Sequence, residues 1–169
     1  WVTGVEMFLQ SLRNTLGDDA IIMINVTHND WGGAEHMNGH VRENCVNENY
    51  FSWYVTDWNR NKSKFRQPMI SMRHNWPPTD DPLIVYPTKN DYASMRSGLC
   101  RATLLDQYFT YEEDFHNGHY WNKYYDEFDL DIGFPKGDII KFNVTANDHA
   151  AWVRFYDSGV VILNMTGQN

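Results

Sequence analysis

The chain has 169 residues, 42% hydrophobic, 15% aromatic and 21% charged, enough apolar material for a real core and too much for a disordered segment. A net charge of −8 and a pI near 5.2 exclude a phosphate-tracking surface, because nucleic-acid binding draws on clustered Lys and Arg. No apolar run reaches the length of a membrane span, and the chain opens on Trp1 without a leader, as expected of a processed chain or of part of a longer one.

Val5, Phe8, Leu9, Leu12 and Leu16 recur at helical spacing and predict a helix over 1–16 with one buried stripe, stopped by Gly17. The continuous apolar run 20–26 predicts a strand covered on both faces, as in a parallel sheet. After a loop containing Trp31-Gly32-Gly33, the turn Met37-Asn38-Gly39 leads into a short strand, 41–43, which ends on Glu43. A helix over 50–64 carries Phe51, Tyr54, Val55 and Trp58, and a strand over 69–74 follows Pro68. Pro77, Pro78, Pro82 and Pro87 exclude regular structure from most of 75–90. Asp91 is expected to cap a helix to 105, with Tyr92, Met95, Leu99 and Ala102 on one side, before a strand over 108–113. The stretch 114–137 is irregular and aromatic. Antiparallel strands are expected at 138–144, 150–157 and 160–166, the last two joined at Ser158-Gly159.

Strands alternating with helices indicate an α/β fold with a parallel sheet. Connections from helix into strand are short, whereas those leaving strands are long and aromatic, which places the long loops at the C-terminal edge of the strands, where a (β/α)8 barrel carries its site. Trp31-Gly32-Gly33 does not match the Gly-rich turn of a dinucleotide fold. Four strands cannot close a barrel, so the expected fold is the second half of a (β/α)8 TIM-like barrel, strands five to eight, followed by a small antiparallel β appendage. The expected division is 1–115 for the half-barrel, 116–137 for an aromatic, acidic loop packed on it, and 138–169 for the appendage. The N-terminal half of the same barrel is the implied partner.

Glycoside cleavage uses two carboxylates across the scissile bond. Glu43, ending a buried strand at the loop-rich edge, fits one role, set against a carboxylate simply paired with Arg42 or Arg73. Glu112 is a candidate for the second, with Glu113 and Asp114 beside it and only one of Glu112 and Glu113 able to point inward; the other source is the N-terminal half of the barrel. Asn25, Asn38, Arg73 and His74 are candidate substrate-binding groups, and Trp31, Trp76 and Tyr111 are candidate sugar-contacting aromatics. Asp126 and Glu127 are read as structural. His36 and His40 stand four apart, but Gly39 and the adjoining turn speak against a helical metal pair, so neither a metal nor a cofactor is expected. Sequons at Asn25, Asn61, Asn143 and Asn164 exceed the roughly two that chance gives and suggest a secretory route. Glycans are expected on Asn61 and on at least one of Asn143 and Asn164, from exposed helix-end or hairpin positions. Asn25 cannot easily be both a sequon in use and a barrel residue. Cys45 and Cys100 are equally consistent with a disulfide and with two thiols.

The succession MNGHVREN, MRSGLCRATLLDQYFTYEED, YYDEFDLDIGFPKG and VRFYDSGVVILNMT resembles the C-terminal part of the hypothetical glycosyl hydrolase (β/α)8 proteins, over about residues 36–166. The aspartate-rich loop is the most specific part. The resemblance implies polysaccharide hydrolysis; with the strand-end carboxylates the expectation is action on, or binding of, a polysaccharide by a carboxylate mechanism, and the four sequons, a departure from the family, suit a secreted or surface-exposed relative. His40 and Arg42 around the acid depart from the pattern. A reading of a different class is a non-catalytic extracellular structural or carbohydrate-binding glycoprotein with a degenerate glycosidase barrel.

Overall fold

The computed structural model describes residues 2–25, 32–43, 51–76, 89–112, 124–143 and 150–165. Trp31, Cys45, Glu113, Asp114, Trp121 and the proline-rich loop lie outside the described residues. The chain gathers into two compact units, Trp1–His74 and Asn75–Asn169. Its strands run in the order β1-β2-β3-β4 in one sheet, and β5-β6-β7 form a second.

The first unit opens with α1 (Val2–Leu16). Its buried stripe is narrower than the spacing predicts: Leu9 is fully buried, whereas Phe8 and Leu16 are exposed. The cover on Leu9 comes from the turn at Gly33, where a Cβ would stand 3.0 Å from the Leu9 side chain. At the end of α1, Gly17 takes φ 84° and its N–H bonds the Arg13 carbonyl at 2.9 Å, the left-handed cap that glycine favours.

Arg13 then pins the chain beyond the helix. Its guanidinium donates to the carbonyls of His36 (3.1 Å), Gly17 (2.8 Å), Asp18 (3.3 Å) and Ala20 (2.7 Å), and to Asn38 Oδ1 (3.1 Å). These bonds explain why β1 (Met23–Asn25) begins later than the apolar run does. The Ala20 carbonyl is taken by Arg13, and Ile22 N–H donates to Asn38 Oδ1 at 3.0 Å, so the backbone pairing of the run starts only at the Ile22 carbonyl, which accepts from Asn38 N–H at 2.8 Å.

β2 (Gly39–Glu43) lies parallel to β1 and to β3 (Met72–Asn75), with Asn25 opposite Val41, Arg42 opposite Arg73 and Glu43 opposite His74. Gly39 is required by a close approach: a Cβ there would stand 1.8 Å from the Ile70 carbonyl oxygen. α2 (Phe51–Asn61), continued by a 3-10 turn at Lys62–Lys64, covers one sheet face. His40 Nε2 is 3.0 Å from Tyr54 Oη, and the Arg42 and Arg73 guanidinium carbons sit 4.2 and 4.3 Å from the Tyr54 ring centre. Trp58 and Phe65 close round the imidazole at 5.6 and 5.8 Å.

The second unit holds α3 (Lys89–Leu104) and β4 (Tyr108–Tyr111). The helix starts before Asp91, the expected cap. Met95, Tyr111 and Tyr125 form its core, joined by Leu99, Phe109 and Phe128. A 3-10 turn at Asp126–Asp129 turns Phe128 inward, where it meets Phe109 edge-on at 5.9 Å. β5 (Ile140–Asn143), β6 (Ala150–Phe155) and β7 (Val160–Asn164) pair antiparallel as the sequence predicts, with the 156–159 turn closed by Tyr156 N–H to the Gly159 carbonyl at 2.9 Å. This sheet holds the end of α3: Arg154 Nη1 donates to the Leu104 carbonyl at 2.9 Å, and Tyr156 Oη donates to the Thr103 carbonyl. The expected appendage thus shares one unit with α3 and β4.

Candidate functional site

Strand alternation converts the packing of α2 into a statement about Glu43. His40, Arg42 and Arg73 point toward α2, so Val41, Glu43, Met72 and His74 point to the other sheet face. Asn25, opposite Val41, belongs to that second face, and its Nδ2 donates to Glu43 Oε1 at 2.7 Å. Asn25, Glu43 and His74 therefore meet at the C-terminal ends of three adjacent parallel strands, on the face away from the helix. Both Asn25 and Glu43 are exposed. The Asn25 amide is thus one partner of the acid.

Two of the expected substrate-binding groups are placed elsewhere. Arg73 is 2% exposed, on the α2 face, stacked on Tyr54. Asn38 precedes β2, at the opposite end of that strand from Glu43, and its amide is engaged: Oδ1 accepts from Ile22 N–H and Arg13, and Nδ2 donates to the Pro68 carbonyl at 3.2 Å. Both are core groups in this fold.

The histidine that sequence reading dismissed as a metal ligand has a structural role. His40 is wholly buried, with Tyr54 Oη at Nε2 and Ser71 Oγ 3.4 Å from Nδ1. Burial, then the positive charges of Arg73 and Arg42, pull its pKa down to about 3, so the ring is neutral.

In the second unit, Glu112 follows β4 and is buried, its N–H bonded to the Asn75 carbonyl at 2.9 Å. Tyr111 faces α3 in the core, 6.0 Å from Tyr125, which corrects its expected role as a sugar-contacting ring. By alternation Glu112 points away from α3. Trp76, just past β3, is half-buried. Cys100 is half-buried on α3, and burial raises its thiol pKa.

The sequons divide. Asn61 stands at the helix end as expected but is 5% exposed: its Nδ2 donates to the Asp57 carbonyl and Oδ1 at 3.0 and 3.1 Å, and its Oδ1 accepts from Lys64 at 2.7 Å. A glycan would have to replace a bond of that nitrogen, so the fold gives Asn61 a structural use. Asn164 is exposed at the end of β7, and Asn143 ends β5.

Sequence reading missed a groove in the second unit. Tyr92 and Arg96 of α3, with Tyr124, Tyr125, Asp126, Glu127 and Leu130, line a cleft of about 450 Å³. Arg96 pairs with Glu127 at 2.6 Å, and a backbone hydrogen bond, then this pair, holds the Glu127 carboxyl below its ordinary pKa. The dense Tyr-Tyr-Asp-Glu run was the available signal.

No protein-family model matches the chain, and no curated protein matches it. Among the described residues, no helix is long and apolar enough to cross a membrane.

Proposed function

We propose that the chain is the strand-five-to-eight half of a (β/α)8 barrel of glycoside hydrolase type, acting on or binding a polysaccharide, with Glu43 as acid/base or nucleophile. The observation that carries the reading is the Asn25–Glu43 hydrogen bond at the C-terminal ends of parallel strands, on the face away from α2. Barrel enzymes assemble their chemistry at that edge, from residues contributed by several strands. An amide donor on one carboxylate oxygen fixes the orientation of the acid. His74, paired in register with Glu43, is the neighbouring polar group. Secretion is part of the proposal, supported by the exposed sequon at Asn164.

The test is Glu43→Gln in the full-length protein, assayed for reducing sugar released from soluble polysaccharides. Turnover is expected to fall by at least about 100-fold, with polysaccharide retention in affinity electrophoresis kept, because the substitution removes the proton transfer and preserves the shape. Equal turnover by variant and parent refutes the assignment. A parent that binds but never cleaves moves the protein to the non-catalytic class.

A further inference from the structure

We infer that the Tyr124 groove of the second unit is a binding site for a neutral sugar, independent of the Glu43 reading. The groove combines three things that sugar recognition needs. The first is a fixed aromatic face. Tyr124 is 64% exposed, yet its ring is held from behind by Phe128, edge-on at 5.6 Å, and its hydroxyl donates to Asp129. A large exposed ring held at both ends loses little freedom when a flat partner stacks on it.

The second is a mixed set of donors and acceptors. Arg96 spends Nε and Nη2 on Glu127 Oε1, which leaves Nη1 as a donor, while Glu127 Oε2 and the exposed Asp126 carboxylate supply acceptors. Each sugar hydroxyl both gives and takes a hydrogen bond, so a site with one kind alone leaves half of that capacity unused. The third is size. A groove of about 450 Å³ lies within the usual range for small-molecule sites.

The lining also selects the class of sugar. Two carboxylates, Asp126 and Glu127, against one guanidinium, Arg96, leave one net negative charge. Uronic, sialic and sulfated sugars are repelled there. Quaternary ammonium groups also favour tyrosine-walled sites, and choline is the probe that tells them from a sugar. Neutral pyranoses meet no charge penalty.

The experiment is calorimetric titration of the whole protein at pH 7 with cellohexaose, laminarihexaose, xylohexaose, mannohexaose and maltohexaose, with choline as the cationic probe. At least one hexaose is expected to bind. Tyr124→Ala should weaken that binding at least about tenfold, Tyr124→Phe should keep it within about threefold, and Glu43→Gln should leave it unchanged. Asp126→Ala, at an exposed position, gives a second loss of at least about fivefold should Tyr124→Ala fail to fold. The inference is overturned if no hexaose binds, if choline alone binds, or if Tyr124→Ala, or Asp126→Ala in its place, binds as the parent does. Loss on Glu43→Gln alone also overturns it, and would place the bound sugar at the strand ends instead.

Discussion

Gly39→Ala tests the close approach between β2 and the chain entering β3. An added Cβ would lie 1.8 Å from the Ile70 carbonyl oxygen and 2.9 Å from Ser71 Oγ. A comfortable carbon–oxygen contact is about 3.3 Å, so the two backbones must part by roughly 1.5 Å. The Ile70 carbonyl is backbone, not a side-chain tip that can swing aside. The displacement also loosens the bond from Ile70 N–H to the Asn38 carbonyl, now 2.8 Å. Overpacking costs about 1–3 kcal/mol and a weakened backbone hydrogen bond about 1 kcal/mol more. The entropy that alanine removes from the unfolded chain returns about 0.5–1 kcal/mol. The net loss is about 2 kcal/mol, or roughly 4–8 °C in melting temperature for a chain of this size. Thermal melts followed by circular dichroism measure it. Gly4→Ala is the control: that position lies in α1 with nothing within 4 Å, so alanine should stabilise by about 1 kcal/mol. A Gly39→Ala protein melting within about 2 °C of the parent would refute the close approach.

Acid should weaken the first unit through His40. Its folded pKa of about 3 lies below the ordinary 6.5, so its contribution is fully present above pH 6.5 and is lost as pH falls toward 3. The loss is about 2 kcal/mol between pH 7.5 and 5 by that linkage, and urea titrations at the two pH values should show a smaller difference in His40→Gln. Arg13→Lys keeps the charge but not the fork that reaches five acceptors, and a loss of about 2–3 kcal/mol is expected from the urea midpoint. An unchanged midpoint would show that the five bonds carry no net stability. Arg154→Met should cost about 2 kcal/mol and speed amide exchange in the last turn of α3, since it strips the donor from the Leu104 carbonyl. Exchange equal to the parent's would contradict that role.

The order of elements was legible because their periodicities are strong. The helix over 50–64, the short strand ending on Glu43 and the closing antiparallel strands all stand close to where their patterns put them. Strand starts were not legible, because side chains far along the sequence decide them: Arg13 and Asn38 claim the backbone before β1, and no local pattern announces that. The placement of Glu43 and Asn25 at strand ends was legible, since strand ends and loop lengths are sequence properties. Arg73 and Asn38 were misassigned for one reason. A polar residue in a strand looks functional until the helix covering it is known, and here Tyr54 and Arg13 absorb them. Asn61 repeats the lesson at a helix end. The Tyr124 groove needed the 3-10 turn to separate Phe128 from Asp126 and Glu127, a sorting that composition alone does not reveal.

The bond from Arg154 to the last carbonyl of α3 binds the history of the closing sheet to that of the helix. A shorter chain ending near Gly137 would lose more than an ornament: the helix C-terminus would keep its partial negative charge and lose the cation that meets it. A chimera that keeps α3 but exchanges the three-stranded sheet for another module must bring a basic residue to the same spot, or shorten the helix.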